Sequence, residues 1–197
     1  MTKPSSSIRP TTGTGPVIFD LETNGLLNTA TRIHCLSIHW LNDDRTETFN
    51  DEPYADNPKD LPMGANYSIT TGISWLEVAD ILIGHNCIGF DIPIIKKFFP
   101  WFNPRGDVLD TLLLSRLYHP NLLDIDKQRA WKHMPLQLYG RHSLESYGYR
   151  LNEYKGSFGQ TTDWSEWSQE MQDYCEQDVV VTTKLCKHFH KYLNGSN

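Results

Sequence analysis

Two carboxylates stand inside an otherwise apolar, strand-forming run, Val17-Ile18-Phe19-Asp20-Leu21-Glu22-Thr23. Side chains on a strand alternate between its faces, so Val17, Phe19 and Leu21 share one face and Ile18, Asp20 and Glu22 the other. Two acids on one face repel each other, and enclosing them costs several kcal/mol unless a cation sits between them. The run therefore either finishes at a solvated strand end or delivers its acids to a site that holds positive charge.

The rest of the chain alternates short strand-like runs with stretches of helical period. Ile33–Leu41 and Thr46–Asn50 flank Asn42-Asp43-Asp44-Arg45, which reads as a hairpin turn. Residues 51–72, with three prolines, read as a loop, and Gly72–Asp80 as a short helix. Ile81–His85 reads as a second core strand and about Asp91–Phe99 as a helix. Asp107–Leu109 reads as a third short strand and Thr111–Tyr118 as a helix ended by Pro120. Residues 119–142 form a basic segment, Ser143–Tyr149 is helical, and Trp164 to about Leu193 is helical in two pieces. Strands mixed with helices, and no internal repeat, predict one α/β domain over 17–193: a mixed sheet with helices packed on it. Residues 1–16, rich in Ser, Thr, Pro and Gly, and residues 194–197 read as flexible tails.

Composition narrows the function classes. The chain has 197 residues, 18 Lys and Arg against 24 Asp and Glu, and a net charge of −6. That argues against coating nucleic acid by bulk charge, and leaves open an enzyme that meets it through metal ions and a local basic rim. No apolar run is long enough to span a bilayer, so no membrane partner is expected. The N-terminus lacks the apolar core of a secretory signal. The four cysteines show no zinc-type spacing, which fits a reduced, cytoplasmic setting.

Two further features carry chemistry. Tyr174, Asp178, Val181, Leu185 and Phe189 fall on one helical face, so Asp178 stands inside an apolar stripe with Tyr174 one turn before it. A hydrogen-bonded acid and a core tyrosine are the plain alternative. His85-Asn86-Cys87-Ile88-Gly89-Phe90-Asp91 follows the second core strand and opens a helix. There Asp91 is either a helix cap, with Pro93 in the first turn, or a site acid. If Asp20, Glu22, Asp91 and Asp178 converge, four negative charges demand divalent cations, and oxygen-only ligands favour Mg²⁺ or Mn²⁺. Two such ions about 3.5–4 Å apart are a standard device for phosphodiester cleavage.

The order Asp20-x-Glu22, His85-Asn86-x₃-Phe90-Asp91 and Tyr174-x₃-Asp178 resembles the three motifs of the DEDD 3′–5′ exonucleases, in the subclass that uses a tyrosine. Asp110-Thr111-Leu112-Leu113-Leu114-Ser115-Arg116-Leu117, the stretch His142–Leu151, and Gln177-Asp178-Val179-Val180-Val181-Thr182 resemble the proofreading domain of T-seven-type phage family A DNA polymerases. The resemblance runs over roughly residues 15–193. It implies an RNase H-like mixed β-sheet with flanking α-helices, and release of nucleoside monophosphates from 3′ ends of single-stranded or frayed DNA. It implies two Mg²⁺ or Mn²⁺ ions: Asp20, Glu22 and Asp178 on the first, Asp20 bridging to the second, Asp91 reaching that ion through water. Tyr174 would orient the attacking water. Thr23, Asn24, Gly25 and Leu26 would contact the terminal nucleotide, with Leu26 wedged against a base, and Asn86 and Phe90 would line the same pocket.

The family fuses this domain to a polymerase, whereas this chain stops at Asn197. A free-standing exonuclease, a fragment, or a subunit working beside a separately encoded DNA polymerase all fit, with proofreading or phage replication in a host cytoplasm as the setting. An RNA or short-oligonucleotide exonuclease of the same fold is the first alternative, and an inert replisome-binding module the second. Asp110 reads as a helix cap, with support of the site as the alternative. Trp101, Trp164 and Trp167 read as packing anchors, with stacking on bases as the alternative. Lys127, Arg129, Lys132, Arg141, Arg150 and Lys155 read either as a rim along the DNA backbone or as a solvated loop. From Gly156 to Thr183 there are six acids and no Lys or Arg, which favours metal over bare DNA around Asp178.

Overall fold

A computed structural model describes residues 14–52, 68–153 and 163–193. Five strands form one mixed sheet: β1 (Pro16–Thr23), β2 (Ile33–Trp40), β3 (Arg45–Asn50), β4 (Ile81–Gly84) and β5 (Asp107–Asp110). Their order is β3-β2-β1-β4-β5. β2 runs antiparallel to β1 and β3, while β4 is parallel to β1 and β5. Six α-helices are described: α1 (Ile69–Val78), α2 (Asp91–Phe98), α3 (Thr111–Tyr118), α4 (Leu122–Arg129), α5 (Leu144–Arg150) and α6 (Gln169–Leu193).

The period-two pattern of β1 divides the core as its sequence requires. Val17, Phe19 and Leu21 pair with Trp40, Ile38 and Leu36 and join the cluster under α1 and α2. Ile18 faces the other way, against Ile83 and Val179 of α6. All eight residues of β2 are buried, because α1 covers one face of it and α6 the other. At Gly72 of α1 an added Cβ would stand 2.6 Å from a Leu36 methyl and 2.8 Å from the Phe49 ring, so helix and sheet close only without a side chain there.

Three expected element readings change, and one cap is reassigned. α1 begins inside the expected 51–72 loop, where the Ser68 hydroxyl accepts from the Thr71 amide; β-branched residues and Gly72 had disguised its first turn. The stretch 53–67 lies outside the described residues. α4 lies within the basic segment, hidden because charge outweighs apolar period in its eight residues. Trp164–Ser168 are not helical, and α6 is one continuous 25-residue helix that starts at Gln169, where the Ser168 hydroxyl accepts from the Met171 amide. Asp91 is the first residue of α2, and Phe90 occupies the cap position with no side-chain cap, so the reading of Asp91 as a cap is wrong. The tail expected over 1–16 ends early, since the Gly15 amide donates to Asp80 and Pro16 opens β1; residues 1–13 and 194–197 lie outside the described residues.

Candidate active site

β1 outruns β4. Only Pro16–Ile18 pair with β4, leaving Phe19–Thr23 to run on beside the loop that leads into α2. Asp20 and Glu22 sit on this extension, on the face that α6 covers, and the alternation that keeps Leu21 in the core turns both acids the same way. α6 contributes Asp178, buried at 7% exposure, from the stripe that also buries Val181, Leu185 and Phe189. One carboxylate oxygen from each of Asp20, Glu22 and Asp178 lies within 4.8 Å of the other two. Like charges this close repel strongly in a half-buried setting, and the oxygen-only donor set fits a hard divalent cation.

Asp91 is a neighbour of this trio, not one of it. Its carboxyl is buried, and both the Asp20 charge and the Leu21 backbone act on it, which sets it close to β1. Burial, then the charge of Asp20, holds it well above the usual carboxylate range. Asp110 shapes the approach. Its carboxylate caps α3 at the Leu112 amide and also accepts from the amides of Asn86 and Ile88, 2.9 and 3.1 Å away. The 85–90 loop is thereby pinned to β5, with Asn86 in the left-handed region at φ +63°. The sequence indicated the cap and left support of the site open.

Tyr174 lies one turn before Asp178 and is half-buried against the Trp164 ring. Burial, then Glu22, Asp20 and Glu145, push its phenol above its ordinary value, so it stays protonated. Glu145, on the first turn of α5, is exposed, and an exposed acid carries no signal in sequence. Trp164 and Trp167 pack on the buried Cys35, Met171 and Cys175, and Trp101 packs on the main core. All three serve packing.

The loop after β1 is held from several sides. The Thr23 hydroxyl donates to the Gly25 carbonyl at 2.7 Å. The Asn24 amide group bonds the Thr31 hydroxyl and accepts from the amides of Thr31 and Arg32. Lys97 of α2 donates to the carbonyls of Leu27 and Ala30. Leu26 projects from this braced loop at 76% exposure. Phe90 packs half-buried on the main core. Of the expected basic rim, Lys127, Arg129, Lys132 and Arg141 are exposed; Arg150 is buried in an ion pair with Asp126, and Lys155 lies outside the described residues.

A family model described as RNase H superfamily matches residues 17–190. The chain belongs to the RNase H superfamily. Within the superfamily's reach, it is 32% identical over 194 residues to the DNA-directed DNA polymerase of Escherichia phage T7, and 31% over 192 residues to that of Enterobacteria phage T3. Each alignment covers 86% of this chain and 26% of the polymerase, so the chain spans about a quarter of those relatives. The motif resemblance to phage family A polymerases is borne out by these likenesses. Among solved structures, Brucella melitensis NrnC with bound Mg²⁺ superposes with a TM-score of 0.57 at 20% identity, covering 91% of this chain and 74% of NrnC. The zinc-bound E. coli ExoI–ssDNA complex superposes at 0.51 with 16% identity, covering 90% and 41%. Both likenesses show the RNase H-like fold. Among the described residues no helix is long and apolar enough to cross a membrane.

Proposed function

We propose that the chain is a metal-dependent nuclease that removes nucleoside monophosphates from the 3′ ends of single-stranded or frayed DNA. The observation that carries this reading is the meeting of Asp20, Glu22 and Asp178, far apart in sequence, within 4.8 Å. The phage polymerase relatives favour DNA as the substrate. Asp20, Glu22, Asp178 and the adjoining Asp91 would hold two Mg²⁺ or Mn²⁺ ions. When bound, such ions polarise the phosphate, supply hydroxide at neutral pH and offset charge growing in the transition state.

The chain's own groups divide the remaining work. The protonated Tyr174 phenol acts as a hydrogen-bond donor and orients the attacking water; a phenol held above its ordinary value is no base at neutral pH. Asp91, whose carboxyl is held above the usual range by burial and then by the Asp20 charge, would complete the cation-binding set once ions offset that charge. Thr23 and Gly25 present backbone to the terminal nucleotide. Asn24, its side chain bonded internally, braces the loop. Leu26, exposed yet fixed, wedges against the terminal base. Asn86 and Phe90 line the far side, on the loop clamped by Asp110.

The test uses one oligonucleotide labelled at its 3′ or 5′ end, as DNA and as RNA, with Mg²⁺, Mn²⁺ or chelator. Mononucleotide release from the 3′ end, faster on DNA and lost on chelation, is the expected result. Internal cuts or release from the 5′ end overturn the reading, and faster hydrolysis of RNA or of dinucleotides moves the substrate to RNA or short oligonucleotides. Loading a mismatched primer beside a polymerase checks the proofreading role.

A further inference from the structure

A cavity of about 510 Å³ lies between α3, α4, α5 and the C-terminal end of α6. That volume falls in the range of small-ligand sites, about 300–1,000 Å³. Asp178 and the cavity residues His188 to Tyr192 are ten to fourteen positions apart on one helix, so the cavity lies about 15–21 Å from the acidic cluster at 1.5 Å per residue. It is a separate place on the molecule.

Its walls are chemically one-sided. In a chain of net charge −6, none of the lining residues is an Asp or Glu, while Arg129, Arg150 and Lys191 all face it. Arg150 is already neutralised: Asp126, fully buried, takes its Nε and Nη2 at 2.9 and 2.6 Å, which makes Arg150 a rigid wall. Arg129 and Lys191 differ. Both are exposed, and among the described residues no ion pair uses either. Each cation instead lies against a ring, Arg129 Cζ 5.3 Å from the Trp131 ring and Lys191 Nζ 4.9 Å from that of Tyr192. Tyr118 and Tyr192 stack at 4.7 Å with their planes 18° apart, forming an aromatic shelf in the same wall. The field is positive enough to be felt locally. His119 is pushed down to about 4 by burial and then by His188, Lys191 and Arg150, and His188 is lowered by burial, Lys191 and Arg129.

Unneutralised guanidinium and ammonium groups beside aromatic faces select a ligand with a phosphate and a flat ring. We propose that this cavity is a second binding site, for a nucleoside 5′-phosphate, with Arg129 and Lys191 taking the phosphate and the Trp131 and Tyr118–Tyr192 rings taking the base. The ligand has two sources, a free mononucleotide or one nucleotide of a strand whose 3′ end sits at the acidic cluster. The second source rests on the nuclease reading above; the first does not.

The test is calorimetric titration of the full chain in chelator, where the acidic cluster repels phosphate and nothing is hydrolysed. Deoxyadenosine 5′-monophosphate is compared with its halves, deoxyadenosine and deoxyribose 5-phosphate, and with a 5′-phosphorylated octathymidylate. The whole nucleotide is expected to bind more tightly than either half. Arg129→Glu and Lys191→Glu, both at exposed positions, are each expected to weaken it at least tenfold. If only the octathymidylate binds and only its binding falls in the variants, the site serves a strand. Absence of binding by both ligands, or unchanged binding in both variants, overturns the proposal. Dinucleotide hydrolysis by the unmodified chain with Mg²⁺ is scored separately, so that a failure of the nuclease reading is not mistaken for a failure of this one.

Discussion

Asp178 is where stability and the proposed chemistry meet. It is buried, yet its carboxylate faces those of Asp20 and Glu22. Removing its charge should act in opposite directions on the two properties. Metal-free Asp178→Asn is expected to melt about 2–4 °C above metal-free wild type, the equivalent of roughly 1 kcal/mol of relieved repulsion. Added Mg²⁺ should raise the melting temperature of wild type progressively and leave the variant unmoved, because only a ligand that binds the folded state stabilises it. Exonuclease activity of the variant should fall at least about 10²-fold. A melting curve in chelator and in Mg²⁺, beside a single-turnover assay, reads all three. Tyr174→Phe keeps the ring against Trp164 and loses only the hydroxyl, so a loss of about 10²-fold in kcat with an unchanged melting temperature is expected.

At the scale of elements, two contacts govern how the helices meet the rest of the fold. α1 reaches β2 and β3 through Gly72, where a side chain would strike Leu36 and Phe49. Gly72→Val should cost about 1–3 kcal/mol by overpacking, seen as a fall in melting temperature. α4 and α5 are joined by Asp126, which lies fully buried between Arg150, the Trp131 indole and the Gly140 amide. Burial alone would raise this carboxyl; the Arg150, Gly140 and Trp131 hydrogen bonds outweigh it and hold the group below its ordinary value. Arg150→Met strands that charge and should destabilise by about 3–5 kcal/mol in urea unfolding. The ion pair is not legible in the sequence, because Arg150 lies 24 residues from Asp126, which is one acid among several along the chain.

For the whole molecule, histidine burial contributes to the response to acid. His34, His39, His119, His142 and His188 are all held below their ordinary value, burial being the first cause in each. The folded state keeps them neutral while the unfolded chain takes up protons below about 6.5, so their contribution is intact at pH 7 and lost as pH falls. For His119 the loss continues down to about 4. Melting temperature measured from pH 7 to 4 should therefore fall less steeply in His119→Gln than in wild type, since glutamine takes up no proton in either state.

Much of the site could be read from the chain alone, because its cues are local. Strand alternation in Val17–Thr23 sets Asp20 and Glu22 on one face, and helical spacing sets Tyr174 and Asp178 on one turn; both follow from backbone geometry within a few residues. What the sequence left open was long-range. Whether those two faces meet, that Asp91 leads α2 and lies buried beside Asp20 where a cap was an equal reading, and that Asp110 clamps the 85–90 loop are decided by β1 outrunning β4 and by α6 lying across the sheet. Distances between segments this remote depend on how sheet and helices pack, and only the tertiary structure sets that.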